Sequence, residues 1–312
     1  MIRILFLGTG PLACPALKSL SGWSDCTVIE VITQPDRPAG RQLRSKPSAV
    51  KETASQLNLP VLQPERIRDS AEIERIRNLQ PDLCVVASYG QILPPELLAI
   101  PQFGCLNIHA SLLPRHRGAA PIQWAILDCD TESGVTIMRM DAGLDTGDIV
   151  ATVRTPILPA DNSQTLHDRL ALMGAQLLVE TIPGYINGSL IPLPQPTVGA
   201  TYARKIRKED GHIDWTQNSQ QILRRIRAFT PWPGTYTTSP HDLNSRLKIW
   251  DAECVLAHGR PGEILTADAA GLVVACSEGA LRLTSLQREG GRQIASGDFL
   301  RGSPLKPGDI LG

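Results

Sequence analysis

A chain of 312 residues with 42% hydrophobic residues can bury a sizeable core. It is long enough for two domains, or one large domain with an appendage, and it excludes disorder of the whole chain. Basic and acidic residues balance at 31 each, but residues 201–312 carry 15 basic against 12 acidic, a net of +3, and residues 1–200 carry 16 against 19. This asymmetry is too mild to establish a nucleic-acid partner by itself. With no run of about 18 apolar residues, no membrane span is expected. The chain opens directly on IRILFLG without a charged, apolar leader, which predicts a cytoplasmic protein. Seven cysteines, an odd number with no C-x-x-C pair, predict free thiols in a reducing compartment, and the six histidines show no metal spacing.

In chain order, residues 2–8 (IRILFLG) read as a buried strand, 11–20 as a helix after a glycine turn, and 27–33 (TVIEVIT) as a second strand. A helix over 71–79 precedes a third strand at 82–88 (DLCVVAS). Then come CLNIHAS (105–111), a helix near 119–127 and the strand VTIMRMD (135–141). Apolar strands between helices predict a mainly parallel sheet covered on both faces, an α/β, Rossmann-like domain. The longest helical pattern spans 166–182, with Leu166, Leu170, Met173, Leu177 and Leu178 near 3.6-residue spacing and His167 off that stripe, in solvent. Prolines and a charge run over 191–211 read as a surface linker. A helix at 219–228 and the short strands LKIWDAECV, GEILTA, GLVVACS and ALRLTSLQ follow, predicting a small β-barrel or sandwich.

The turn Gly8-Thr9-Gly10-Pro11-Leu12-Ala13 fits the dinucleotide fingerprint G-x-G-x-x-G/A, and Glu30 lies where a ribose ligand is expected. Two features count against that reading. Pro11 lacks the N–H that would hold phosphate, and Glu30 lies inside an apolar run rather than at its end.

The segment Cys105 to Ala120 (CLNIHASLLPRHRGAA) carries the strongest chemical signal. Period-two alternation puts Asn107 and His109 on one face of a strand end, where open α/β sheets place ligands. The cluster DAGLDTGD (141–148) forms a bent loop able to return a carboxylate toward that pair. NIHASLLPRHRGAAPI followed by MDAGLDTGDI resembles the folate-dependent formyltransferases, a group that shares an N-x-H with an Asp 38 positions beyond the Asn. TQPDRPAGR (33–41), AFTPWPGTY (228–236), KIRKEDGHIDW (205–215) and the stretch 298–312 resemble the methionyl-tRNA branch over essentially the full length. The resemblance implies a Rossmann-like catalytic domain over 1–204 and a C-terminal, OB-fold-like, tRNA-binding β-barrel over 205–312. Where the family often has an aromatic residue, this chain has His116.

The resemblance also implies the chemistry. The acceptor amine attacks the formyl carbon of 10-formyltetrahydrofolate, so an oxyanion forms, the amine loses a proton and the folate nitrogen gains one. Asn107 can donate an N–H to the oxyanion, an effect of about 3 kcal/mol for one fixed donor. His109 can stabilise the oxyanion or supply the leaving proton, and Asp145 is the carboxylate that orients it and accepts the amine proton. No step needs a metal. Ser111, Leu112, Leu113 and Pro114 match the family's folate-contacting stretch, and Tyr89 to Leu93 is a weaker candidate to line the pterin pocket.

Between Asp36 and Lys51 the basic residues Arg37, Arg41, Arg44, Lys46 and Lys51 face a single acid, with no apolar period. A solvated loop explains that composition. By resemblance the loop instead enters the tRNA acceptor arm, with Arg41 foremost. The barrel is expected to hold the tRNA body through Arg and Lys, including Arg204, Lys205, Arg207 and Lys208 of the linker. The expected partners are initiator methionyl-tRNA and the folate donor, with the chain a monomer. A formyltransferase acting on an amino sugar nucleotide is the alternative enzyme, since it would use the same three residues without the basic loop. A non-catalytic RNA-binding protein is the other class.

Overall fold

The structure is a computed structural model that describes residues 1–39, 44–303 and 305–312, apart from the side chains at 38, 39, 44, 45 and 242–245. It divides into two compact units: Met1–Pro121 with Glu132–Pro156 and His167–Ala203, and Ile122–Thr131 with Ile157–Leu166 and Arg204–Gly312.

The strands of the first unit are β1 (Ile2–Gly8), β2 (Cys26–Ile32), β3 (Arg37–Ala39), β4 (Arg44–Lys46), β5 (Val61–Leu62), β6 (Leu83–Ala87), β7 (Cys105–His109), β8 (Arg117–Gly118), β9 (Glu132–Arg139), β10 (Ile149–Pro156) and β11 (Tyr202–Ala203). Seven of them form one sheet in the order β10-β9-β7-β6-β1-β2-β5. β5, β2, β1, β6 and β7 pair in parallel, whereas β9 is antiparallel to both its neighbours. The expectation of a mainly parallel α/β sheet holds. Ile4, Leu5, Phe6 and Leu7 are 0% exposed, as a strand covered on both faces requires. Helices α1 (Cys14–Ser21), α2 (Ala49–Gln56), α3 (Ser70–Leu79) and α4 (Pro95–Leu98) alternate with the strands; α5 (Pro121–Leu127) falls mostly in the second unit and α6 (Ser163–Ile186) mostly in the first. Along α6, Leu166, Leu170 and Leu178 are buried, while Met173 and Leu177 are half-buried. His167 is half-buried too, beside Asp168.

Two expectations need correction. The basic stretch is not wholly loop: β3 and β4 pair antiparallel, with Arg37 opposite Lys46. The stretch 191–211 is not a free linker either. Leu193 exchanges two 2.8 Å backbone hydrogen bonds with Ile149, and β11 pairs in parallel with β8.

The second unit holds β12 (Thr235–Ser239), β13 (Asp242–Val255), β14 (Ile264–Asp268), β15 (Gly271–Ala275), β16 (Ala280–Arg288) and β17 (Ile294–Ala295), with α7 (Ser219–Phe229) and α8 (Ser296–Leu300). Five strands run antiparallel in the order β12-β13-β16-β15-β14, and β17 pairs with β16. Residues 308–312 bridge the outer strands. Gly308 N–H donates to Ile264 O, Ile264 N–H to Asp309 O, Leu311 N–H to Gly262 O, and Thr238 N–H to Gly312 O, at 2.6–2.9 Å. This strap closes a small β-barrel, as expected from the short strands. Its core joins Ile222 and Ile226 of α7 to Ile249, Leu272, Leu281 and Leu283. Asn218 and Gln221 cap α7 reciprocally, which satisfies two of its orphan N–H groups. No helix among the described residues is long and apolar enough to cross a membrane.

Candidate active site

Asn107 and His109 stand at the C-terminal end of β7, where they pair with Met138 and Thr136 of β9. Ile108 points away from them: a Cβ added at Gly174 of α6 would meet the Ile108 methyl at 2.8 Å. The alternation read from the sequence therefore sets the polar pair on one face. Both side chains are buried, yet Asn107 has no hydrogen-bonding partner among the described residues. At 9% exposure the side-chain amide keeps a little solvent access, so its donors and acceptor are open to a ligand.

His109 is held at one ring nitrogen and open at the other. Its Nε2 lies 2.9 Å from the carbonyl oxygen of His116, and its Nδ1 lies 3.8 Å from Asp145 Oδ2. The carbonyl can only accept, so Nε2 carries the proton. Nδ1 is then the nitrogen left to face a reactant. The gap to Asp145 is too long for a direct hydrogen bond and suits an intervening group, as unliganded sites often show. Asp145 Oδ2 accepts a 2.8 Å hydrogen bond from Gly118 N–H. Asp145 itself has φ +53°, in the left-handed region. The preceding residues 141–144 are exposed, and Asp141 ties them by accepting from Gly143 N–H and Thr146 Oγ1.

The sequence reading missed two contributors because both act through the backbone. The carbonyl of His116 holds His109, and the amide of Gly118 holds Asp145. His116 is buried at φ +58°, and its N–H donates to Thr201 Oγ1 at 2.8 Å. Gly118 has φ +111° and sits against Ala203 O, 2.8 Å from where a Cβ would be. Only glycine tolerates both conditions. The glycine of R-G-A was the one signal available.

A formyl transferase family model matches residues 2–182, and the model of the formyl transferase C-terminal domain matches residues 205–304. The chain belongs to the formyl transferase family. Among similar proteins, the methionyl-tRNA formyltransferase of Citrifermentans bemidjiense is 47% identical over 311 residues, covering 100% of this chain and 96% of that one. The methionyl-tRNA formyltransferase of Aromatoleum aromaticum is 48% identical over 308 residues, covering 99% and 96%. In fold the chain is also similar to an N-formyltransferase from Helicobacter canadensis, solved with folinic acid and dTDP-3-aminofucose (TM-score 0.67, 19% identity, 91% and 99% covered). HypX from Aquifex aeolicus, solved with tetrahydrofolic acid, is a further structural likeness (TM-score 0.63, 19% identity, 100% and 50% covered).

In this formyl transferase, Ser111 and Leu113 are buried, while Leu112 and Pro114 keep part of their surface. Ser111 Oγ donates to Arg115 O at 2.7 Å and so shapes its own turn. In the loop leaving β6, Tyr89 O accepts from Thr9 Oγ1 and Gln34 Nε2, which pins the backbone, while Ile92 is 86% exposed. The dinucleotide-like turn spends its polar groups internally. Gly10 N–H donates to Ser88 O, and the buried Glu30 pairs with Arg75 at 3.2 Å. Of the basic stretch, Arg41 lies outside the described residues, as does the side chain of Arg44. Lys51 pairs with Asp36 at 2.7 Å and, with Gln63, holds that carboxyl below its usual range. Arg37 and Lys46 are exposed and line a cavity of about 380 Å³ with Thr9, Gln34, Ser48 and Glu52. Arg204 is engaged within the second unit: it makes two 2.8 Å bonds to Asp210 and lies over the Trp124 ring.

Proposed function

We propose that this chain transfers the formyl group of 10-formyltetrahydrofolate to the α-amino group of methionine on initiator methionyl-tRNA. It acts as a monomer in the cytoplasm, with residues 1–204 catalytic and residues 205–312 holding the tRNA. The observation that carries the chemistry is the unpartnered Asn107 amide on the same face as a His109 whose free nitrogen looks at Asp145.

The donor supplies an electrophilic formyl carbon. Leu112 and Pro114 follow β7 and Ile92 lies in the loop leaving the neighbouring β6, and each keeps apolar surface for the donor to pack against. Asn107 donates an N–H to the oxygen on that carbon as negative charge develops there. Asp145, held by Gly118, receives the amine proton directly or through water. His109 Nδ1, unprotonated at rest, takes up that proton and passes it to the folate nitrogen as the bond from that nitrogen to the formyl carbon breaks and the amine's bond to the carbon is complete. The free amine of an aminoacyl group has an unperturbed pKa of roughly 7 to 8, so little is asked of the base. Arg37, Arg41, Arg44 and Lys46 contact the acceptor arm, where unpaired bases stack on guanidinium planes and phosphates meet the cations.

The test is incubation of the protein with 10-formyltetrahydrofolate and methionyl-tRNA, with formyl-methionine as the readout. The expected product is formyl-methionyl-tRNA, and Arg41→Ala should raise KM for tRNA. Formylation of an amino sugar nucleotide with none on tRNA would overturn the reading.

A further inference from the structure

We infer that Gln195 is a positioning residue for the reaction, the side chain that sets where the Asp145 carboxylate stands. The inference rests on the reading of Asp145 as the proton acceptor. Every hydrogen-bonding capacity of the Gln195 amide is used. Its Oε1 accepts from Arg117 Nε at 3.0 Å and from Arg117 Nη2 at 2.7 Å. Its Nε2 donates to Asp145 O at 2.8 Å and to Gly147 O at 2.7 Å. Arginine can only donate and the two carbonyls can only accept, so the amide has one possible orientation.

The placement matters because the other ties within the loop are local ones, from Asp141 to Gly143 N–H and Thr146 Oγ1. Asp145 is held in the left-handed region, and residues 141–144 before it are exposed. A residue in that conformation persists when its surroundings over-determine it. Gln195 grips the loop at Asp145 and again two residues on. Through Arg117 it also holds the residue next to Gly118, whose N–H binds the Asp145 carboxylate. One side chain therefore ties the backbone of the acid to the loop that grips its oxygen. The surrounding segment does the same work on a larger scale, since Leu193 pairs with Ile149 and Thr201 with His116 and Arg117. Its position in the stretch that reads as a linker hides this role in the sequence.

Misplacement of a reacting group by about 1 Å costs on the order of 10²-fold in rate. Gln195→Ala should lower kcat about 10- to 100-fold while KM for the folate donor and for methionyl-tRNA changes less than about twofold. Gln195→Glu is the sharper variant. It keeps the Arg117 contact, and with it the local fold, but sets an oxygen against the carbonyls of Asp145 and Gly147. It should lose kcat to a similar extent, by more than its fall in folded fraction at the assay temperature accounts for. In an Asp145→Asn background, either Gln195 change should add less than about twofold, because the group being positioned is already gone. If Asp145→Asn is inactive but Gln195→Glu turns over like the parent, or loses kcat only in step with its folded fraction, this inference fails alone. Full turnover by Asp145→Asn would instead sink the site reading beneath it.

Discussion

Two segments at the same edge of the sheet carry a motif, and they differ in what they leave unpaired. The turn after β1 has the spacing of a dinucleotide loop, yet its amide, hydroxyl and acid are spent on Ser88, Tyr89 and Arg75. The end of β7 has a shorter motif, yet it keeps the Asn107 amide and one histidine nitrogen uncommitted. Gly8 explains why the first pattern exists at all: a Cβ there would meet Ala13 Cβ at 2.9 Å and Ala87 O at 3.1 Å, so the glycine permits close packing of turn and strand. Spacing tells where the backbone turns. Unsatisfied polar groups tell where a ligand belongs.

Substitutions at the two places should separate them by orders of magnitude. His109→Ala should lower turnover about 10²- to 10⁴-fold, the range of general acid–base groups, while binding of methionyl-tRNA followed by filter retention stays near the parent value. Asn107→Ala should cost about 10²- to 10³-fold in kcat as an oxyanion donor. Parent-like turnover in both would mean that the β7 end is not the reaction centre. Glu30→Gln, at the other motif, should leave turnover within about twofold. It should cost up to about 1 kcal/mol in urea unfolding, because position 30 loses its charge while the half-exposed Arg75 keeps an acceptor there. The smallest effect concerns the second unit. Arg204 pulls the Asp210 carboxyl down to about 2, so the pair contributes stability above the unfolded carboxylate value near 4 and loses it as pH falls toward 2. Arg204→Ala should therefore destabilise the protein at neutral pH by no more than about 1 kcal/mol, and the difference from the parent should shrink in acid melts.

Much of the fold was legible because its strands are apolar runs of the right length. The direction of β9 was not: Ser133 to Met138 is buried throughout, and a doubly covered strand reads the same either way. β12 was overlooked because Thr235 and Thr237, both 0% exposed, look polar on paper while their hydroxyls bond inward to Ile249 O and to Trp215 Nε1. At the site, Asn107 and His109 declared themselves through strand alternation. Asp145 came only through the resemblance. Gly118 showed only as the glycine of R-G-A and Gln195 not at all, since their contacts to the Asp145 loop cross 27 and 50 residues of chain.

That separation has a consequence in time. Thr201 reaches back 85 residues to His116, and Gln195 reaches back 78 to Arg117. Contacts of such span form late, because the intervening chain must be ordered first. During synthesis, a nascent chain that has emerged only to residue 190 already contains every strand of the seven-stranded sheet and the three side chains proposed to react. It lacks Gln195 and Thr201, so on that proposal it should stay idle until about a dozen more residues follow.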